Sequence, residues 1–157
     1  MIKFMLILLM YFNIPDLAIE PSISEIRLQF HNSTSNEKTC KGLIAQLNPY
    51  NEKNNALLFG YRGGATMIMA KYVYNPFSKL SYFNKGRDMI EKAIQHDKNN
   101  VELRFLRYTI QTNVPAFLGY NDHKKSDRLF LSESIPSIKD SHLKKIIVSY
   151  LNQSKAA

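Results

Sequence analysis

The stretch GRDMIEKAIQHDKNNVE, residues 86–102, constrains the fold more than any other part of the chain. Gly86, Ile90 and Ala93 follow one another at offsets of four and three, which places all three on one face of a helix. Two of them are small, so a neighbouring helix can approach that face closely. Lys98, Asn99 and Asn100 supply a turn, and a new apolar-periodic segment opens directly after it at Val101. No stretch of useful length alternates apolar and polar residues with the period of two that a strand needs. The expected fold class is all-α, with about six or seven helices paired as antiparallel hairpins.

The same reasoning places the other elements. Residues 22–30 read as a helix with Ser22 as N-cap, Glu25 completing a capping box, and Ile23, Ile26 and Phe30 on one face. A polar turn over 31–36 follows, and Ser35 or Asn36 caps a second helix with Leu43, Ile44 and Leu47 inward, ended by Pro49. A third helix over 54–74 carries Leu58, Tyr61, Ala65, Ile68 and Tyr72 as a stripe. Gly60, Gly63 and Gly64 lie inside it at about 1 kcal/mol each relative to Ala, which points to close packing against another backbone. A phosphate-cradling loop there lacks both the GxxxxGK[ST] and the GxGxxG pattern.

Pro76 reads as a break, after which Ser78 caps a helix over 79–96 with Leu80, Phe83, Gly86, Met89, Ile90 and Ala93 inward. The helix from Val101 to about Thr112 buries Leu103, Leu106 and Ile110, with Phe105 and Tyr108 partly covered. A short helical turn over 116–120 and a capped segment over 122–131 come next. Ile135-Pro136-Ser137 opens a last helix to about residue 152, with Ile138, Leu143, Ile146, Ile147 and Tyr150 inward and a frayed tail from Ser154.

The Gly86, Ile90, Ala93 spacing and the turn at Lys98-Asn99-Asn100, where the family usually has Pro-x-x, resemble the second helix of a tetratricopeptide repeat. The resemblance covers that helix, its turn and the start of the next helix, about a fifth of the chain. The preceding helix does not register with the family's pattern, Pro115 truncates a second unit, and the 34-residue period is not visible along the chain. What the resemblance implies is helical scaffolding for binding, and a scaffold does not name its ligand.

A chain of 157 residues fits one domain with a real core, here residues 22–157. Residues 1–18 read as an export signal, with Lys3 before the apolar run Phe4 to Phe12, too short to span a membrane. Ala18 after Asp16-Leu17 is a poor cleavage site, so the rival reading is a first helix packed on the core. With that signal the protein is expected in the periplasm, and without it in the cytoplasm. The net charge of +8 suits an anionic partner, but the lysines and arginines are spread along the chain.

Chemistry-bearing patterns are scarce. Cys40 is the only cysteine, which rules out an intramolecular disulfide, and it reads as a small half-buried residue. His31, His96, His123 and His142 form no HxxxH or HExxH pair, so neither metal nor cofactor is expected. Asp88 and Glu91 share a helix with Arg87 and Lys92 and read as a solvated ion-pair face. The best candidate constellation is Arg104, Arg107, Tyr108 and Gln111, whose spacing puts them on one helical face able to hold a partner's carboxylates or an extended peptide. The function expected is a non-enzymatic protein–protein interaction module with a protein or peptide partner. The alternatives are an enzyme with dispersed residues, or a binder of nucleic acid or anionic surfaces through a basic face.

Overall fold

The computed structural model describes residues 20–153. Among them are seven α-helices: α1 (Ile23–Ser33), α2 (Glu37–Gln46), α3 (Ala56–Met69), α4 (Pro76–His96), α5 (Val101–Asn113), α6 (Lys124–Ser134) and α7 (Ser141–Gln153). Two 3-10 turns, Ala116–Leu118 and Ile135–Ser137, complete the described elements, and no strand occurs among these residues. The all-α expectation holds. The export signal over 1–18 and the frayed tail from Ser154 lie outside the described residues.

Short polar side chains start most of these helices. The side-chain oxygens of Asn36, Asn55, Asn75 and Asn100 accept from the first free N–H groups of α2, α3, α4 and α5, and Asp140 Oδ1 accepts from His142 and Leu143. Several boundaries differ from the sequence reading, and α3 ends at Met69, short of the expected residue 74. Pro76 occupies the first turn of α4 under the Asn75 cap, where its missing N–H is harmless, so it opens the helix rather than breaking the chain. Ser22 makes no capping bond, its hydroxyl being paired with that of Ser24. Ile135-Pro136-Ser137 is a 3-10 turn that closes α6, and α7 starts only after Asp140.

Glycines set the tightest contact. Gly60 faces Ala93, Gly63 faces Met89 and Ile90, and Gly86 faces Met67, which fixes α3 and α4 as antiparallel. Cys40 donates to Ala65 O while Arg62 reaches the Asn48 carbonyl, so α2 is antiparallel to α3 as well. By contrast Tyr72 bonds Ser33 O and Phe30 stacks edge-on to Tyr61, so α1 and α3 run the same way. Leu103 and Leu106 likewise meet Gly60 and Gly64 in order. The outcome is two layers: α1, α3, α5 and α7 run in parallel, and α2, α4 and α6 return between them.

The core is correspondingly a succession of clusters. Ile26, Leu43, Leu47, Leu58 and Tyr61 join α1 to α3. Phe59, Phe83, Ile90, Ala93 and Leu103 join α3 to α5, and Tyr108, Leu131, Ile147 and Leu151 join α5 to α7. Each helix leans on near neighbours in the chain, the arrangement of a stacked-hairpin protein.

Candidate functional site

The four residues singled out from the sequence come together, but not on an open face. Arg107, Tyr108 and Gln111 are buried, at 3%, 3% and 2% exposure. The reading of an open contact face is corrected, because α4 and α6 cover α5 on the side that periodicity leaves polar. Arg107 grips Asp127 with two bonds, Nε to Oδ2 at 2.7 Å and Nη2 to Oδ1 at 2.8 Å, and gives Nη1 to Glu91 Oε2 at 2.6 Å. Arg104 Nη1 adds a bond to Asp127 Oδ1 at 2.8 Å and its guanidinium lies over the Phe130 ring. Tyr120 OH donates to the other Glu91 oxygen at 2.6 Å. Glu91 therefore belongs to a tertiary network and not to a solvated face. Burial draws the Arg107 pKa down, and the bonds and charges of Asp127 and Glu91 outweigh it, leaving the guanidinium more firmly protonated than usual. Burial above all, reinforced by Glu91, pushes the Tyr120 phenol far up.

Tyr108 OH accepts from Arg128 Nη1 at 2.9 Å. Neither amide atom of Gln111 has a hydrogen-bond partner among the described residues. An amide left so in the interior is a local destabilisation, since its lost hydration is not replaced.

A second charged cluster went unread in the sequence. Arg27 of α1 grips Glu102 of α5 with two bonds, both 2.7 Å, and gives Nη1 to Asp140 Oδ2 at 2.8 Å. Tyr61 OH donates to Glu102 Oε1 at 2.6 Å. The bonds to Glu102 hold the Arg27 guanidinium above its ordinary pKa, against burial. Arg27 and Glu102 stand 75 positions apart, a separation over which no periodicity or spacing signal reaches. The pairing ties α1 to α5 and, through Asp140, to the start of α7.

Beside this pairing lies a large apolar recess. A cavity of about 450 Å³ is lined by Leu28, Phe30, Phe105, Leu106, Leu143 and Ile146, from α1, α5 and α7. A second, of about 780 Å³, continues past Met67, Ile68, Phe83, Ile110 and Val114 of α3 to α5 and the segment beyond it. The two share Phe30, His31, Thr34 and Thr109, so they form one groove. Its lining includes Arg27, His31, Lys71 and His142 and no Asp or Glu. A side chain entering it meets apolar walls; of the two cations in the lining, Arg27 is already paired with Glu102 and Asp140, and Lys71 rests on the Thr34 carbonyl.

Other candidate chemistry is placed elsewhere. His96 and His123 do not line the groove. No group of three His, Cys, Asp or Glu suited to a metal ion occurs among the described residues. Cys40 is fully buried rather than half-buried; its Sγ–H donates to Ala65 O at 3.2 Å, and burial pushes the thiol up to about 11. Among the described residues no helix is long and apolar enough to cross a membrane. Comparison with known proteins gives no matching family model, no matching curated protein and no matching solved structure.

Proposed function

We propose that this chain is a non-enzymatic protein-interaction module, related in design to tetratricopeptide repeats, that holds a peptide segment in the groove between α1, α5 and α7. The single observation that carries the reading is that groove, apolar along its walls and free of carboxylates in its lining. The layered packing supports it too, since parallel helices present side chains from α1, α5 and α7 to one ligand. The favoured segment has two or three apolar anchors flanked by Asp or Glu, the anchors filling the recess beside Phe105 and Ile146 and the acids meeting His31, Lys71 and His142. Arg104, Arg107, Tyr108 and Gln111 then act at one remove, holding α4, α5 and α6 together behind the groove.

A peptide-display library panned against the full chain tests this. Enriched peptides are expected to share apolar anchors with acidic flanks, and to lose affinity at least about tenfold against Leu28→Glu, which puts a like charge on the rim. Leu28 is 61% exposed, so the substitution leaves the fold intact. Peptides that bind equally well to Leu28→Glu, or no enrichment at all, would defeat the proposal.

A further inference from the structure

The groove does not account for the most exposed apolar side chains. Tyr74, Phe77 and Phe117 are 98%, 84% and 86% exposed, and Leu80 is half-exposed where the sequence reading had it inward. Tyr74, Phe77 and Leu80 belong to the connection from α3 to α4 and the first turns of α4, and Phe117 to the 3-10 turn after α5. These are the same end of the stack. α3 and α5 run in parallel, so their C-terminal ends lie together, and α4 starts where α3 stops. Phe83, one turn beyond Leu80, stacks edge-on to Tyr120 at 6.1 Å, and Leu118 packs against the cluster that holds Phe83. The turn that carries Phe117 is therefore held against the start of α4. Tyr74 stands on the connection, Phe77 and Leu80 on the first turns of α4 and Phe117 on the 3-10 turn, and none of them lines the groove.

The α3–α4 connection and the first half of α4 carry charges of one sign. From Lys53 to Arg87 the chain contains Arg62, Lys71, Lys79 and Lys85 and not one Asp or Glu, and residues 109–121 carry no charge. Lys71 and Lys79 flank the aromatic tip, their ammonium groups resting on the carbonyls of Thr34 and Ala70. Four protruding apolar side chains beside Lys71 and Lys79, with Glu37 at the neighbouring start of α2 paired to Lys41, match the boundary of an anionic bilayer. There aromatic rings settle at headgroup level while ammonium groups meet lipid phosphates. We propose that this end of the helix stack is a docking surface for an anionic lipid bilayer, with Phe77 and Phe117 entering the interface and Lys71 and Lys79 meeting the headgroups. The proposal is independent of the groove, which lies along the inner layer and shares only Lys71 with it.

The test is vesicle flotation of the full chain with phosphatidylcholine alone and with about a third phosphatidylglycerol. Binding is expected only to the anionic vesicles, and it is expected to weaken as salt rises. Phe77→Ser with Phe117→Ser should lower partitioning at least tenfold. Lys71→Gln with Lys79→Gln should lower it by about fivefold per residue and flatten the salt dependence. Circular dichroism melts should stay unchanged for both pairs, because the aromatic side chains touch no core and the lysines are exposed. Undiminished partitioning of the Phe77/Phe117 variant would place the contact elsewhere, with the Phe4 to Phe12 segment as the first alternative. Equal binding to the neutral vesicles, or capture of duplex DNA without capture of vesicles, would also overturn the assignment.

Discussion

The backbones of Gly63 and Gly86 lie against each other: a Cβ on Gly63 would stand 2.8 Å from the Gly86 carbonyl oxygen, and a Cβ on Gly86 would collide with Gly63 O and Met67. Two costly helix-interior glycines thus account for each other. Neither residue can grow without parting α3 from α4.

Gly86→Ala is therefore expected to destabilise by about 1–3 kcal/mol, although alanine is the better helix former by about 1 kcal/mol. Gly42 of α2 is the matched control, since a Cβ there meets nothing within 4 Å. Gly42→Ala is expected to stabilise by about 0.5–1 kcal/mol. Urea denaturation of the two variants checks the contrast, and equal shifts of the same sign would refute the close-contact account.

Asp127 is fully buried between Arg104 and Arg107. Asp127→Ala leaves two guanidinium groups facing each other with one carboxylate fewer, at a loss of about 3–5 kcal/mol. Glu91→Gln is milder, because Glu91 is partly exposed and Arg107 keeps both bonds to Asp127. Thermal melts that rank Glu91→Gln as the worse substitution would contradict the network as described.

Gln111 should be improvable. Replacing its unpartnered amide by the similarly shaped Met removes two buried polar atoms, and Gln111→Met is expected to raise stability by about 1 kcal/mol. A fall in the denaturation midpoint would show that the amide has a partner after all.

Asp140 should confer a pH dependence. The Leu143 N–H first, then Arg27, hold its carboxyl below the ordinary carboxylate value. A depressed folded-state pKa contributes stability above the unfolded value of about 4, and that stability is lost as pH falls through the folded value. Asp140→Asn keeps an oxygen for the α7 cap but removes the charge. It is expected to be less stable than the native chain at neutral pH, with the difference closing below about pH 4. Urea melts across pH would expose a constant gap, which the linkage does not allow.

Local chemistry made much of this fold legible. Periodicity of three and four residues marked six of the seven described helices, α6 being legible only as a capped segment, Asn36 was among the recognised caps, and the small residues at Gly63, Gly64 and Gly86 announced close packing, all signals that act within one or two turns. Even Pro76 misled only about a boundary, since proline is as well suited to a helix's first turn as to its end. The site was a different matter. Spacing showed correctly that Arg104, Arg107, Tyr108 and Gln111 share a face, yet which way that face points depends on what covers it. Asp127 and Glu91, 20 and 16 positions from Arg107, turn it inward. The groove depends in turn on Arg27 finding Glu102 across 75 residues. The sequence by itself determined where helices form and how near two of them can come, because those follow from backbone propensity and side-chain size. Only the tertiary structure decided which polar residues are structural and which surface is open, because burial is a property of neighbours brought in from elsewhere in the chain.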